Sequence, residues 1–365
     1  MKTTFLFLAG ALAMPAVAQP ASKALLDQTE IFHGGKDGYM TYRIPAVIIS
    51  PGGDLLAFAE GRKDTIEDSG DIDVLLKRSS DRGKTWSAYK VIADQGADTI
   101  GNTCPVVDLT TKTIFLLLTA NSRSLNKRQL IDSILGTRTV WITKSTDDGK
   151  TWSAPAEITT QVKDSAWGWV ATGPGNGIQL SSGRLIVPSN HRVKGNETPI
   201  SYVMYSDDHG GTWKKGADVG ENTNESQVVE LADGSLMINA RSYAGKSRRA
   251  VAISHDGGLS WSPVRLDETL VEPICQASIF RLTKGRLLFS NPNDPKQRRN
   301  LTVRLSNDDG KTWPVSRVLD PGPAAYSSLV LLPDRTIGCL YEKGPSRGDN
   351  SLVFARFNLE WLKGN

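Results

Sequence analysis

Short apolar runs rich in β-branched and aromatic residues alternate with turn residues along most of the chain. Clear examples are residues 139–143 (TVWIT), 201–205 (SYVMY) and 301–305 (LTVRL). Runs of this length that end in Asp, Asn, Ser or Gly are typical of strands that lead into tight turns. The pattern therefore predicts an all-β protein.

An octapeptide of the form S-x-D-x-G-x-[T/S]-W follows these runs five times, beginning at Ser79, Ser145, Ser206, Ser254 and Ser306. Its Asp can accept hydrogen bonds from backbone amides, and its Gly can adopt a positive φ angle. Its Trp can bury its ring between neighbouring sheets. We therefore interpret the octapeptide as a structural turn rather than as a carbohydrate or calcium site.

A fainter repeat of six hairpin turns alternates with the octapeptides and begins at residues 53, 112, 183, 234, 285 and 335. The spacing is close to the period of a four-stranded propeller blade. The sequence thus predicts a six-bladed β-propeller of four-stranded antiparallel blades in one domain over residues 19–365. Antiparallel alternation places hairpin turns and octapeptides on one face. The variable loops and the links between blades then share the opposite face, which we call the top face.

The N-terminus has the layout of a cleavable secretory signal over residues 1–18. Lys2 precedes an apolar run from Phe5 to Val17, and the small residues Ala16 and Ala18 then lead to Gln19. We expect a periplasmic or secreted protein. No later segment supplies the roughly 20 apolar residues that a membrane-spanning helix needs.

Composition excludes several classes of function. The net charge of +4 arises from 43 basic and 39 acidic residues, a balance that argues against a nucleic-acid binder. Three cysteines are too few for a disulfide framework, and their odd number leaves at least one thiol free. The four histidines are dispersed, so we predict no metal and no cofactor.

Counting about ten residues back from each hairpin turn gives the expected top-face start of each first strand. These positions are Arg43, Cys104, Gly173, Glu225, Gln276 and Tyr326. The ends of the second strands add residues 62–68, 190–192, Arg241, 291–299 and Glu342. Arginines gathered at one pocket predict a small anionic ligand, because guanidinium forks match carboxylates or phosphates. Any one arginine taken alone could equally bridge two blades.

Several motifs at these positions match one known family. They are YRIP at 42–45, AEGR at 59–62, DSGD at 68–71, ATGPG at 171–175, NESQ at 224–227, NARS at 239–242 and AYSS at 325–328. With the octapeptides, the chain resembles bacterial exo-α-sialidases, which are retaining glycoside hydrolases. The resemblance implies hydrolysis of terminal sialic acid from sialylated glycans, glycoproteins or gangliosides, with retention of configuration.

The same resemblance implies roles for individual residues. Arg43, Arg241 and Arg298 would bind the sialic acid carboxylate, with the adjacent Arg299 as the alternative third arginine. Arg62 and Gln276 would also bind substrate. We interpret Cys275, next to Gln276, as a small buried apolar residue rather than as a reactive thiol. Trp167 and Trp169 could line the glycan entrance or pack between blades.

For catalysis, the resemblance implies Tyr326 as nucleophile, Glu225 as its base and Asp68 as acid/base. A neutral phenol suits a substrate whose anomeric carbon carries a carboxylate, since an Asp or Glu nucleophile would meet like charge. The three arginines are further expected to favour the ionised phenol. Other carboxylates compete with Asp68 for the acid/base role, namely Asp64, Glu67, Asp71 and Asp73.

Other functions fit parts of the same pattern. A trans-sialidase or an intramolecular trans-sialidase would keep the site and change the acceptor, and a related enzyme would prefer a nonulosonic acid without the N-acetyl group. A non-catalytic sialic-acid-binding propeller is a different class. It would have no reason to keep Tyr326 and Glu225 together with Asp68.

Overall fold

A computed structural model describes residues 23–133, 136–344 and 350–364, and these ranges are built almost entirely from strands. The all-β prediction is confirmed. The predicted signal segment over residues 1–18 lies outside the described residues. None of the described helices has both the length and the apolar character needed to cross a bilayer.

The strands follow one another in short segments. The first twelve are β1 (Leu26–Phe32), β2 (Thr41–Ile49), β3 (Leu55–Arg62), β4 (Ile72–Ser79), β5 (Lys90–Ala93), β6 (Thr99–Asp108), β7 (Thr113–Asn121), β8 (Thr139–Ser145), β9 (Ala156–Glu157), β10 (Trp167–Thr172), β11 (Ile178–Gln179) and β12 (Leu185–Val193). The next thirteen are β13 (Ile200–Ser206), β14 (Lys214–Lys215), β15 (Gly220–Glu221), β16 (Thr223–Glu230), β17 (Leu236–Ser242), β18 (Arg248–Ser254), β19 (Arg265–Val271), β20 (Ser278–Thr283), β21 (Arg286–Pro292), β22 (Arg299–Ser306), β23 (Val315–Leu331), β24 (Ile337–Lys343) and β25 (Ser351–Phe357). Three short helices accompany them, α1 (Lys127–Asp132), α2 (Thr159–Val162) and α3 (Leu359–Lys363).

Within the described ranges the strands pair into four sheets, and the recurring unit is a four-stranded antiparallel meander. The sheet β16-β17-β18-β19 is one such unit by itself. A second sheet runs β10-β12-β13-β14 with β11 and β15 at its sides. The other two contain more strands, in the orders β2-β3-β4-β6-β7-β8-β9 with β5 on β4, and β20-β21-β22-β23-β24-β25-β1. Antiparallel meanders are thus the building block throughout.

The two larger sheets are joined at identifiable points. A single parallel bridge, between Ile72 and Thr99, connects β4 to β6. The 17-residue strand β23 pairs with β22 as far as Pro323 and with β24 from Ala324 onward. One strand therefore closes one meander and opens the next.

The first and the last described strands lie side by side. The first strand β1 pairs antiparallel with the last strand β25, from Leu26 opposite Phe357 to Phe32 opposite Leu352. The next strand, β2, contacts β23 of the same sheet. The N-terminal segment is therefore built into the final sheet.

The core lies between successive meanders, because their faces pack on one another. All eight residues of β3 and all nine of β7 are buried. Phe58 of β3 shares an apolar cluster with Leu116 of β7, while Leu117 shares the next cluster with Val187 of β12. A strand covered on both faces reads as a continuous apolar run rather than as strict alternation, as seen in FLLL at 115–118.

The octapeptides form the turns predicted for them. In the first copy, the Ser79 hydroxyl accepts a hydrogen bond from the Gly83 amide at 2.8 Å. Asp81 accepts bonds from the Thr85 amide at 2.9 Å and the Thr85 hydroxyl at 2.6 Å. In each of the other four copies, the Gly amide likewise donates to the Ser hydroxyl, and the hydroxyl of the Thr or Ser before Trp donates to Asp. These turns also fasten adjacent units, since the Trp86 ring packs 5.2 Å from the Phe354 ring of β25.

Candidate active site

A cavity of about 210 Å³ gathers most of the predicted functional residues. Six of them line it, namely Arg43, Asp68, Glu225, Arg241, Arg298 and Tyr326. A larger and mostly apolar cavity of about 480 Å³ lies near the hairpin-turn ends of β2, β6, β16, β20 and β23, and none of the predicted site residues lines it. The chemistry is thus concentrated in the smaller cavity.

Irregular pairing at the start of the first strands presents three of these side chains to the cavity. The register between β2 and β3 shifts between Arg43 and Ala46, and the adjacent Ile44 has a φ of 57°. Comparable shifts occur around Glu225 in β16 and around Tyr326 in β23. Such β-bulges commonly re-aim side chains next to functional sites.

Tyr326 and Glu225 form a short hydrogen bond at the centre of the cavity. The Tyr326 hydroxyl donates to Oε1 of Glu225 at 2.5 Å. Arg241 donates from Nη1 to Oε2 of Glu225 at 2.7 Å, and the same nitrogen lies 3.2 Å from the Tyr326 oxygen. A buried phenol, a carboxylate and a guanidinium therefore share one hydrogen-bonded group.

The two other predicted carboxylate-binding arginines flank the same phenol. The guanidinium carbons of Arg43 and Arg298 lie 5.2 and 5.5 Å from the centre of the Tyr326 ring. Glu342 holds Arg43 through a salt bridge of 3.2 Å. Arg299, the alternative third arginine, does not line the cavity. The geometry therefore favours Arg298 as the third member.

All three arginines favour the ionised phenol, as predicted, but burial and Glu225 outweigh them. The pKa of Tyr326 therefore lies well above its ordinary value. Burial would also raise the pKa of Glu225, but Arg241 and the bond from Tyr326 outweigh it and the pKa is lowered. The resting pair is thus a neutral phenol beside an ionised carboxylate, the state from which Glu225 can accept the phenolic proton.

Asp68 enters the cavity from the loop between β3 and β4. Nη2 of Arg62 donates to Asp68 Oδ1 at 3.0 Å, and Nη1 of Arg43 lies 3.7 Å from the same oxygen. The carboxyl is open to solvent, with 66% of its side chain exposed. Its protein surroundings would raise its pKa, but the charges of Arg62, Arg43 and Arg138 outweigh this and lower the pKa.

The competing carboxylates of this region are engaged elsewhere. Asp64 pairs with Arg123 at 2.6 Å, and Asp71 and Asp73 both pair with Lys63. None of these, nor Glu67, lines the cavity within the part of the chain that the structure describes.

Arg62 and Gln276, predicted to bind substrate, do not line the cavity. Arg62 is 1% exposed and binds the Glu60 carboxylate and the Glu67 carbonyl as well as Asp68. Gln276, also 1% exposed, accepts from the Ser327 amide at 2.9 Å and donates to the Ser327 carbonyl at 3.0 Å. Arg62 thus neutralises the buried Glu60 and positions Asp68. Gln276 hydrogen-bonds the backbone of Ser327, the residue after Tyr326, and so fixes the backbone beside the phenol.

The cavity is also lined by residues for which no individual role was predicted. They include Asn102, Lys127, Arg138 and Asn224. Arg138 directly precedes β8, so its position at the top of a third strand was the only available signal. Trp169 also lines the cavity, whereas Trp167 stacks on His191 with ring centres 3.6 Å apart. Trp169 therefore faces the cavity, whereas the ring of Trp167 packs on a residue of its own sheet.

The three thiols and the possible metal ligands take no part in this arrangement. Cys104, Cys275 and Cys339 are all free and buried. Burial raises the pKa of Cys275 to about 11, so its thiol stays protonated. Among residues 23–133, 136–344 and 350–364 no group of three or more His, Cys, Asp or Glu side chains could hold a metal ion.

Several known proteins are similar to this chain in sequence and in fold. Residues 53–339 match the BNR repeat-like domain family. The chain is 37% identical to a sialidase of Micromonospora viridifaciens, covering 96% of this chain and 56% of that protein. It is 36% identical to a sialidase of Bacteroides fragilis, covering 85% and 61%, respectively, so the chain spans only part of both relatives. The solved Hadza microbial sialidase Hz136 superimposes with a TM-score of 0.84 at 32% identity, covering 92% of this chain and 69% of that one. The chain belongs to the sialidase family, with the sialidase-like fold.

Proposed function

We propose that this protein is an exo-α-sialidase that releases terminal sialic acid from glycans, glycoproteins or gangliosides. The main support for this proposal is one hydrogen-bonded pair of residues. The Tyr326 hydroxyl donates at 2.5 Å to Glu225 in a cavity that also contains Arg43, Arg241 and Arg298. A nucleophile, its base and a cationic site for a carboxylate are thus assembled in one place.

The proposed first step forms a bond between the Tyr326 oxygen and the anomeric carbon. Glu225 takes the phenolic proton as that bond forms, and the bond from the anomeric carbon to the leaving oxygen breaks. Asp68 donates its proton to the leaving oxygen, which departs as an alcohol. The product is a tyrosyl-linked sialic acid with inverted configuration.

The second step reverses these roles. Asp68, now ionised, takes a proton from water, and the water oxygen bonds to the anomeric carbon. The tyrosyl oxygen leaves and recovers its proton from Glu225. Two inversions give net retention.

A neutral phenol suits this position because the substrate carries its carboxylate on the anomeric carbon. An anionic nucleophile would be repelled by that carboxylate, whereas neutral Tyr326 is not. Arg43, Arg241 and Arg298 would hold that carboxylate by charge-assisted hydrogen bonds. The same cations would also stabilise negative charge as it forms on the phenolic oxygen.

An aryl α-sialoside tests the activity directly. We expect release of the aryl alcohol between mildly acidic and neutral pH, and NMR should first detect the α-anomer of free sialic acid. Lack of release across that range would contradict the proposed function. With lactose added, formation of sialyllactose would instead identify a transferase.

We also propose that the meanders form a six-bladed propeller. Support comes from contacts between octapeptides and hairpin turns one meander back: the amide of Gly52 donates to Asp148 at 2.6 Å, and His209 bonds to Asp108 at 2.8 Å. The same relation joins the two ends of the chain, since Arg82 of the first octapeptide donates to Asp334 of the last hairpin turn at 3.3 Å. A crystal structure with any other number of blades would contradict this architecture.

Export is a further proposal, which rests on the residues from Lys2 to Ala18. Expression of the whole chain in a bacterium should give a mature protein that begins near Gln19 in the periplasm or medium. N-terminal sequencing of the cell fractions measures this. An uncleaved chain in the cytoplasm would contradict it.

A further inference from the structure

The cavity holds more positive charge than one sialic acid carboxylate can neutralise. Its lining contains the cationic side chains of Arg43, Lys127, Arg138, Arg192, Arg241 and Arg298, and the carboxylates of Asp68 and Glu225. The proposed carboxylate site uses Arg43, Arg241 and Arg298. Lys127, Arg138 and Arg192 remain, and we call these three residues the second cationic patch.

Among the residues that the structure describes, no acidic side chain forms a salt bridge with the second cationic patch, and the charges of Asp68 and Glu60 compensate Arg138 only in part. Nε of Arg138 donates to the side-chain oxygen of Asn121 at 3.0 Å, and Nη2 donates to that of Asn102 at 3.4 Å. Nε of Arg192 donates to a backbone carbonyl, that of Glu197, at 3.0 Å. Arg138 and Arg192 are only 2% and 3% exposed. Buried cations bound only by neutral acceptors need an anion to offset their desolvation.

An aromatic ring joins the patch into one surface. The guanidinium carbons of Arg138 and Arg192 lie 4.1 and 5.5 Å from the ring centre of Trp169. Trp169 lines the cavity at 8% exposure, and its Nε1 has no hydrogen-bond partner among the described residues. The same holds for Nδ2 of Asn190, whose residue is 1% exposed. Both unpaired atoms are donors, and both belong to residues that line the cavity beside the patch.

The protonation of the patch agrees with this geometry. Burial lowers the pKa of Arg138 to about 10, and it also lowers the pKa of Arg192. Burial and the charges of Arg192 and Arg241 lower the pKa of Lys127. The charged form of each side chain is therefore less stable than it is in water, and a bound anion would stabilise that charged form.

The patch lies beside the group proposed to protonate the leaving oxygen. The charge of Arg138 contributes to lowering the pKa of Asp68, and Asn102, which Arg138 contacts, lines the same cavity. A group bound there would therefore share the cavity with the reacting bond.

We propose that the second cationic patch binds a second anionic group of the substrate, either a carboxylate or a sulfate ester. Two sources share this chemistry: a sulfate on the terminal sialic acid, or the carboxylate of a second sialic acid to which the first is joined. The inference rests on the proposed function, because it assigns a substrate class to that site.

Matched substrates test the proposal. One pair is 3′-sialyllactose with and without a sulfate on the sialic acid. The other is a disialyllactose with its inner carboxylate free or converted to the methyl ester. We expect kcat/KM at low ionic strength to be about tenfold higher for the dianionic member of at least one pair. The pair that shows the preference identifies the source. Equal values within both pairs would overturn the inference.

Two neighbouring residues on α1 provide a matched set of variants. Lys127 lines the cavity, whereas Arg128 pairs with Asp132 and Glu197 outside it. Lys127→Gln should reduce the dianionic preference up to about fivefold, and Arg128→Gln should leave that preference as in the unmodified protein. Arg138→Gln should reduce it further if the variant folds. Identical ratios for Lys127→Gln and Arg128→Gln would also overturn the inference.

A binding experiment separates this inference from the proposed function. Calorimetry on the Tyr326→Phe protein compares each dianionic compound with its monoanionic partner, without any need for turnover. Tighter binding of a dianionic compound, weakened about fivefold by adding Lys127→Gln, supports the patch even if no sialoside is hydrolysed. Hydrolysis of 3′-sialyllactose without any such difference in binding supports the proposed function and overturns the inference.

Discussion

Arg298 and Arg299 are consecutive residues whose guanidinium groups lie in different surroundings. Arg298 lines the cavity beside Tyr326, with its guanidinium carbon 5.5 Å from the ring centre. Arg299 is half exposed and donates from Nε to Asp294 at 2.7 Å. The divergence follows from a bend in the backbone, since Arg298 is the last residue of a bent segment and Arg299 begins β22.

The pair gives a matched test of the carboxylate site. Arg298→Gln should lower kcat/KM for a sialoside by about 10- to 100-fold, because one or two charge-assisted hydrogen bonds to the substrate are lost. Arg299→Gln removes the same charge one residue away and should change kcat/KM less than about threefold. Steady-state kinetics on both variants measures this. A larger loss in Arg299→Gln than in Arg298→Gln would exchange their roles.

Tyr326→Phe tests the nucleophile. The variant removes only the hydroxyl that Glu225 accepts from, so kcat should fall by roughly three orders of magnitude while the protein still binds sialic acid. Tyr243→Phe is a suitable control, since the Tyr243 hydroxyl accepts from Nη2 of Arg241 at 2.7 Å but does not line the cavity. We expect that control to keep kcat within about tenfold. Full turnover by Tyr326→Phe would exclude Tyr326 as the nucleophile.

Several features of the site followed from the sequence because they depend on repeated local geometry. The octapeptides and hairpin turns fix the register of the meanders, and counting from them found Arg43, Glu225 and Tyr326 at equivalent first-strand positions. The counting could not tell which side chains at such positions face the cavity. Gln276 occupies an equivalent position but turns to the Ser327 backbone.

Loop residues and protonation states could not be obtained in this way. Lys127 and Arg138 belong to a long connection between β7 and β8 that contains α1, where no repeat provides a register. The raised pKa of Tyr326 depends on burial and on the distance to Glu225, which only a three-dimensional arrangement supplies. Sequence could identify the charges near the phenol but could not weigh them against its desolvation.

The pH dependence of catalysis should reveal Asp68 as the proton donor. Asp68 must be protonated to donate, and Arg62, Arg43 and Arg138 lower its pKa in the free protein. Loss of the Arg62 charge should therefore raise that pKa. At a pH above the pKa values of both carboxyl groups, kcat/KM follows the protonated fraction of Asp68, so it should fall with rising pH and be higher at each pH once the Arg62 charge is lost.

Arg62 cannot be replaced alone, because this would leave the buried Glu60 carboxylate without its cation. The double variant Glu60→Gln/Arg62→Gln avoids this and should show a higher kcat/KM at pH 7 than the unmodified protein. Glu60→Gln alone leaves the Arg62 charge with fewer acidic partners, so its kcat/KM at pH 7 should be lower. Equal kcat/KM values at pH 7 in all three proteins would exclude Asp68 as the acid.

The octapeptides should contribute to stability and not to turnover. Asp208 accepts from the Thr212 amide at 2.8 Å and the Thr212 hydroxyl at 2.7 Å, and these bonds lower its pKa to about 2. A carboxylate whose folded pKa lies below its unfolded value near 3.9 stabilises the fold above that pH. The stabilisation is lost as the pH falls through about 2. Asp208→Ala should lower Tm by about 1–3 °C at pH 6, and the difference from the unmodified protein should shrink as the pH approaches 2. Thermal melts across this range, with kcat measured at 25 °C, test both points. A large fall in kcat with an unchanged Tm would give the octapeptide a catalytic role instead.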